Sequence, residues 1–283
     1  LPEEYIDYSM YKLNHRERKQ FATARRANHF GCILNSSKSN RDRSMFYNKH
    51  VFNTVFSKFI RRDWIYAPDC SEQEIKEFLL RNDYAMVKPT RSNRGKGIYR
   101  VECRQMINDV AAFSEQLKNG HCLLESFIRQ NNILAEVNPT SVNTARVCSV
   151  RDRDGEVHII GAVLRAGGKN SVVDNYHAGG VLYPVDIKTG VIIGAGSSFD
   201  GKRDVLNHPT SGVKMIGLQI PNWQNILSTV EEAGRLPNDS RYIGWDLAIT
   251  DDGCELIEAN FGQGTQGYQA DGVGKYKMIM QYV

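Results

Sequence analysis

The sequence lacks any run approaching the ~18 consecutive apolar residues that a membrane helix needs, so no spanning helix is expected. It also lacks a charged start followed by an apolar stretch, so no signal peptide is read and a cytoplasmic protein is expected. No CxxC pair is present. The six cysteines (Cys32, Cys70, Cys103, Cys122, Cys148, Cys254) are scattered, which argues against zinc and thioredoxin-type chemistry. Several lie in apolar runs such as "RVCSV" and read as reduced thiols. There is no G-x-x-x-x-G-K-[ST] loop, no EF-hand spacing, no internal repeat and no convincing Ser–His or Cys–His arrangement. A covalent enzyme nucleophile is therefore not expected.

What is present is an ordinary globular composition, 41% hydrophobic and 24% charged, over 283 residues. That length is enough for two compact lobes. The net charge of +4 is unevenly placed. From Lys12 to Arg62 there are 13 Lys or Arg against two acids, so the remainder is net acidic. Such a segment suits an anionic partner: a phosphorylated substrate, a nucleic acid or a membrane surface. A solvated helix face is the plain alternative. The interleaved aromatics of "MFYNKHVF" and "DWIY" suit core packing better than base stacking.

Residues 1–34 read as helical, "NSSKSNRDR" (Asn35 to Arg43) as a polar loop, and "SMFYNKHVFNTVFSKFI" as a helix with Phe46, Phe52, Val55, Phe56 and Phe59 at roughly helical spacing. Ser71 and Glu74 form a capping-box pattern ahead of "EIKEFLL". "YAMVKPT" and "IYRVE" are strands joined by the long basic turn "RSNRGKG"; "QMINDVAAFSEQL" is a helix and "HCLLESFI" a strand. "TARVCSVRD", "EVHIIGAVLRA", "GGVLYPVDI" and "GVIIGAG" read as strands, and "NWQNILSTVEEAGRL" as a helix. Many hairpins and no strict βαβ alternation favour antiparallel α+β sheets.

The most informative stretch is "GWDLAITDDGCELIEAN", a predicted hairpin turning at "DDG". Residues two apart on a strand share a face, so Glu258 and Asn260 project together and the hairpin brings Asp246 near them. Two carboxylates and an amide oxygen are a hard-cation ligand set, suited to Mg²⁺ and without the His or Cys of a zinc site. Polar residues on an exposed edge strand are the alternative. In "MVKPTRSNRGKGI", Lys88 precedes a loop bearing Arg91, Ser92, Arg94 and Lys96, with Gly95 and Gly97 allowing close backbone approach to an anion. Arg146 and Arg165, on or ending apolar strands, need anionic partners, either a ligand phosphate or carboxylate or an internal acid. "DNYHAGG" is loop-like and offers His177 as a base or a hydrogen-bonding residue, next to Asn175 and Gly179. "GQGTQG" matches G-x-G-x-x-G, but the remaining chain is too short for the rest of a dinucleotide fold; it reads as a flexible active-site loop.

The ordered series "YNKHVF", "VKPTRSNRGKGI", "LLESFI", "SVNTARV" and "GWDLAITDDGCELIEAN" resembles the ATP-grasp superfamily over about Asn48 to Gly267. "SVNTAR", "NYHAGG", "VDIKTG", "HPTSG" and "GWD" point to its sugar-transfer-associated branch. The resemblance implies an α+β ATP-grasp fold, two α+β lobes with antiparallel sheets clasping ATP, preceded by a helical N-terminal segment. It divides the chain at 1–66, 67–130 and 131–283. It implies that Lys49 and Lys88 contact ATP phosphates and that Ser92 to Gly97, including Gly95, Lys96 and Gly97, covers them. That covering loop is richer in Arg and Lys than in Gly, a departure from the usual pattern. Glu125 is placed near the adenine amino group and Ile128 is the hinge residue whose backbone meets the ring, with Ser126 and Phe127 between them also counted to the nucleotide site. Gln130, Asn131 and Glu136 compete for the ribose. It implies that Arg146 and Arg165 neutralise phosphate and the acyl intermediate, while Asp246, Glu258 and Asn260 hold magnesium, two ions, with Mn²⁺ an alternative. Asn175, His177 and Gly179 fall to the substrate.

The implied activity is ATP-dependent carboxylate–amine ligation through an acyl phosphate, joining an amino acid or amine to a uronic acid or other small carboxylate. Glycan-assembly enzymes or a lipid-linked glycan are the implied partners. A peptide ligase on another carboxylate, or a kinase phosphorylating a hydroxyl, uses the same ATP site. A nucleic-acid-binding module is the remote alternative.

Overall fold

The computed structural model describes residues 19–35, 40–92, 96–168, 180–198 and 204–283, the side chains of Asn40, Arg41 and Gln266 excepted. The chain forms two compact units, one of residues 43–129 and one combining residues up to 42 with residues 130–283. The expected N-terminal region, 1–66, is thus shared between them.

The smaller unit is built on a four-stranded antiparallel sheet. Its strands are β1 (Trp64–Tyr66), β2 (Tyr84–Pro89), β3 (Tyr99–Glu102) and β4 (Cys122–Ser126), in the order β1-β4-β2-β3. The helix Glu72–Arg81 starts where expected: the Ser71 hydroxyl accepts from Glu74 N–H while the Glu74 carboxylate accepts from Ser71 N–H. It buries Ile75, Phe78 and Leu79 against Ala85, Val87 and Leu124 of the sheet. Removing a side chain such as Phe78 from water stabilises by about 1.5–3 kcal/mol. The helix expected over Gln105 to Leu117 is two, Cys103–Ile107 and Val110–Asn119, because Asp109 caps the second through Ala112 N–H. The helix expected from Ser44 is likewise interrupted: Asn48 accepts from His50 and Val51 N–H and starts a new helix, Lys49–Val55. The preceding helix, Asn40–Tyr47, begins inside what reads as a polar loop.

The larger unit carries six antiparallel strands: β5 (Thr144–Arg151), β6 (Val157–Ala166), β7 (Val181–Val185), β8 (Ser197–Ser198), β9 (Tyr242–Thr250) and β10 (Gly253–Asn260), ordered β10-β9-β5-β6-β7-β8. Residues 251–252 close the β9–β10 hairpin, and Gly253 adopts φ 138°, which a side chain would strain. The strand expected at "GVIIGAG" makes only isolated bridges, such as Val185 to Ile192. On one sheet face, Trp245 and Leu247 lie beside Val147 and Ala145. The helix Trp223–Ala233 meets that face, its Thr229 hydroxyl 3.4 Å from Cys254 Sγ. On the other face, Cys148, Val150 and Tyr242 pack with Phe30 and Leu34 of the helix Ala24–Leu34, with Tyr268 and with Ile279. That packing covers one end of the face. Two steps along β5 and β9, the same face carries Arg146 and Asp246.

The N-terminal segment is hydrogen-bonded into the larger unit. Asp42, fully buried, accepts from the N–H groups of Asn238, Asp239 and Ser240 at 3.1, 2.7 and 2.9 Å. Asn35 accepts from Arg241 and Tyr242 N–H and donates to the carbonyls of Tyr242 and Phe261, tying the start of β9 to the end of β10. Gln269 exchanges two hydrogen bonds with the backbone of Ala22. No helix among the described residues is long and apolar enough to cross a membrane.

Candidate active site

In the larger unit, three adjacent strands deliver a row of charges. Arg146 on β5 stands opposite Asp246 on β9, and Asp246 opposite Glu258 on β10. Directly paired residues project to one face, as the hairpin reading requires. A bulge between Leu256 and Glu258 makes this alignment. Regular pairing after Leu256↔Leu247 would set Ile257 opposite Asp246 and turn Glu258 to the other face. Arg165 reaches the row from β6, two residues beyond Val163, the partner of Arg146.

Asp246 is nearly fully buried and sits at the centre. Arg146 Nε binds its Oδ1 and Arg146 Nη2 its Oδ2, the latter at 2.6 Å. Arg165 Nη1 donates to Oδ2 at 2.9 Å, and Asn260 Nδ2 to the same oxygen at 3.3 Å. Burial pushes the Asp246 carboxyl up, but Arg146 and then Arg165 together outweigh it and hold the group below the usual carboxylate range. Burial alone would lower the Arg146 guanidinium; the Asp246 charge reverses this and raises it. The internal acid that the two arginines needed is Asp246.

The donor set fits magnesium by its chemistry. Two carboxylates and an amide are all oxygen donors, Glu258 is exposed, and Asp246 Oδ1 receives only Arg146 Nε among the hydrogen bonds described, so a lone pair remains. Among the described residues no group of three or more His, Cys, Asp or Glu could hold a metal ion; the set here is two acids and an amide. Neighbouring Cys148 is inert: burial pushes its thiol up to about 12.

The segment "GQGTQG" is packed in part: Gly262 and Gly264 are exposed, whereas Gln263, Thr265 and Gly267 are buried, as is Tyr268 after them. A Cβ on Gly161 would meet Tyr268 Cα at 2.5 Å, and one on Gly267 would meet Cys148 Sγ at 3.0 Å. Small residues on β6 and in the segment itself permit the approach.

The smaller unit holds the second constellation. Lys88 is the penultimate residue of β2, and its Nζ donates to Glu125 Oε2 at 2.5 Å. Arg62 Nε donates to the same oxygen at 2.7 Å, with Arg62 Nη2 3.4 Å and Asn53 Nδ2 2.9 Å from Oε1. Burial raises the Glu125 carboxyl, but Arg62 and Lys88 outweigh it and hold the group far below its ordinary range. Its carboxylate therefore acts as the anchor of Lys88. Lys49 Nζ donates to the Ser92 carbonyl at 2.7 Å and hydroxyl at 3.1 Å, at the start of the basic turn. Lys96 and Gly97 are exposed, Gly97 with φ 72°; Gly95 lies outside the described residues, as do Asn175, His177 and Gly179. Ser126 Oγ accepts from Asp63 N–H, Phe127 is exposed and Ile128 half-buried.

Of the three ribose candidates, two have structural duties. Gln130 holds the turn from Asn138 to Asn143 through both ends of its amide, and Asn131 caps the helix Asn132–Val137. Glu136 is exposed. Sequence reasoning missed Asn53 and Arg62, which lie in the basic segment read as suited to an anionic partner or as a solvated helix face. Their meeting with Glu125 depends on the β1–β4 pairing, where Trp64 stands opposite Glu125, and no local pattern reports it.

Solved structures show the same fold. N5-carboxyaminoimidazole ribonucleotide synthetase in its ADP complex matches with TM-score 0.53 at 10% identity, over 85% of this chain and 52% of that one. The corresponding Aspergillus clavatus synthase, with ADP and its aminoimidazole ribonucleotide, matches with TM-score 0.53 at 13% identity, over 86% and 52%. D-alanyl-alanine synthetase A from Vibrio cholerae matches with TM-score 0.52 at 12% identity, over 85% and 64%. The chain spans about half the length of the first two. The architecture is the ATP-grasp fold, α+β with antiparallel sheets. Residues 48–278 match the family described as sugar-transfer associated ATP-grasp, and the chain belongs to that family. No curated protein sequence matches the chain significantly.

Proposed function

We propose that the chain is an ATP-dependent carboxylate–amine ligase that forms an acyl phosphate, joining an amino acid or amine to a uronic acid or similar small carboxylate. The observation that carries the reading is the Arg146–Asp246–Glu258 row, with Arg165 and Asn260 converging on the same carboxylate. It places fixed cations and hard oxygen donors on one face, which phosphoryl transfer between anions requires. The family description supports the sugar-linked half of the proposal, and glycan-assembly enzymes or a lipid-linked glycan are the partners it suggests.

In this mechanism the substrate carboxylate oxygen attacks the γ-phosphorus, the bond from that phosphorus to the β,γ-bridging oxygen breaks, and ADP leaves. The amine then attacks the acyl carbon, phosphate departs, and the amine loses a proton as the amide forms. Lys49 and Lys88 hold ATP phosphates as point charges, and the backbone at Gly97 approaches them without a side chain. Arg146 and Arg165 offset the negative charge that builds as anion meets anion, and Asp246 keeps both guanidiniums in place beforehand. Glu136 is the residue proposed for the ribose. Magnesium, held by Asp246, Glu258 and Asn260, would supply further charge neutralisation on the phosphates.

The test is ATP consumption with Mg²⁺ against a panel of uronic acids and amino acids, with hydroxylamine as a trap. The expected result is ADP together with a hydroxamate of one carboxylate. ADP with a phosphorylated hydroxyl and no hydroxamate would replace the ligase by a kinase.

A further inference from the structure

Lys88, Glu125 and Arg62 form a triad whose charges do not cancel. One carboxylate is shared by two cations, so the cluster carries a single excess positive charge. Arg62 and Glu125 each keep 2% of their side-chain surface, whereas Lys88 keeps 13%. The only member of the triad with surface to offer a ligand is therefore the lysine. Its ammonium has three donors, and Glu125 takes one of them.

Without Arg62, the Lys88–Glu125 contact would be a neutral ion pair. A phosphate approaching Lys88 would then meet a cation already balanced by a buried anion at hydrogen-bond distance. Arg62 changes this from behind. Its Nε and Nη2 reach both carboxylate oxygens, at 2.7 and 3.4 Å, and Asn53 occupies Oε1 as well. Arg62 thus compensates the Glu125 charge, while the carboxylate still fixes the position of the lysine.

We propose that Arg62 is a positioning residue for nucleotide binding: acting through Glu125, it holds Lys88 in place and leaves the lysine's charge for a phosphate-bearing ligand. The inference rests on the ATP-binding reading above.

The experiment is calorimetric titration of Mg–ATP into wild type, Arg62→Met, Arg62→Lys, Lys88→Met and the double variant Arg62→Met/Lys88→Met, with thermal midpoints recorded for each. Arg62→Met is expected to weaken ATP binding by roughly 10- to 100-fold, the scale of a lost charge-assisted interaction. In steady state the loss appears in KM for ATP more than in kcat. Arg62→Lys, which keeps the charge, is expected to regain most of it. In the Lys88→Met background the Arg62 substitution is expected to change affinity by less than about threefold, the limit of additivity for uncoupled sites. A loss that persists undiminished without Lys88 would make Arg62 merely structural and overturn the proposal. So would wild-type affinity in a folded Arg62→Met protein.

Should Arg62→Met fail to fold, Arg62→Met/Glu125→Gln strands no charge and is compared with Glu125→Gln alone. A difference beyond about threefold between those two would show that Arg62 does not act through Glu125. A wild type that binds no Mg–ATP would overturn the nucleotide reading itself, and the role of Arg62 with it.

Discussion

Arg146 and Asp246 face each other across the β5–β9 pairing, and the guanidinium grips both oxygens of the buried carboxylate. Glu258, the next residue in the row, is exposed. The two acids of the candidate metal set thus sit in opposite environments. Asp246 is a structural anion before it meets any ligand, whereas Glu258 keeps its side chain open to solvent.

That contrast separates two substitutions that look alike. Asp246→Asn leaves Arg146 and Arg165 beside a neutral amide, and breaking a buried pair costs about 3–5 kcal/mol. Glu258→Gln, at an exposed position beside Arg146, is expected to cost no more than about 1 kcal/mol, the scale of an exposed ion pair. Both are expected to lose turnover by orders of magnitude. Denaturant midpoints and single-turnover ADP release check the pair; wild-type-like activity in Glu258→Gln would remove it from the cation site.

The acid stability profile is expected to fall in two steps. His208 is buried, and burial lowers its pKa despite the hydrogen bond to the Gly167 carbonyl. The unfolded chain therefore binds this proton more readily, so stability is complete above the unfolded value of about 6.5 and declines as pH falls toward the lower folded value. Asp246 and Glu125 are depressed as well, but from ordinary values of about 3.9 and 4.3. Their contribution is complete above those values and is lost as pH falls through the folded ones. Urea unfolding between pH 8 and pH 3 should show His208→Gln losing the upper step only, and Glu125→Gln shrinking the lower.

The larger-scale architecture was legible in the sequence because its signals are local. The strand run "TARVCSV", the Ser71–Glu74 box and the turn at "DDG" each depend on a few neighbouring residues. Glu258 is the instructive case. Its kinship with Asn260 follows from a spacing of two, but its alignment with Asp246 needs the bulge after Leu256, which the pattern "CELIEAN" does not announce. Arg62 and Asn53 find Glu125 only through tertiary pairing. The basic N-terminal segment carries two kinds of signal: its charge suits an anionic partner, while Phe30, Leu34, Asn35 and Asp42 are buried.

Burial makes Phe21, Ala22, Phe30, Leu34, Asn35 and Asp42 part of the fold. Asp42→Ala strands three backbone N–H groups and is expected to cost about 2–3 kcal/mol. Phe30→Ala, in a fully buried site between Tyr242 and Tyr276, is expected to cost about 3–5 kcal/mol. Chemical denaturation checks both. Removal of residues 1–34 is expected to unfold the larger unit, and a truncated chain that retained a wild-type midpoint would show that these contacts contribute nothing.

Gly161 offers a test of how the segment after Asn260 is held. On β6 it lies opposite Cys148, and a methyl group there would come within 2.5–2.6 Å of Tyr268 Cα and carbonyl oxygen. Those are backbone atoms and cannot rotate away, so the segment 262–269 must lift or β6 must bend. Overpacking of this kind costs about 1–3 kcal/mol. The displacement would also reach Arg146, which packs against Gly267 and Gly244 on the same face. Gly161→Ala is therefore expected to lower the thermal midpoint and to weaken turnover together. A stable Gly161→Ala protein with full turnover would mean that the segment moves away from the sheet at no cost. The charge row would then not depend on it.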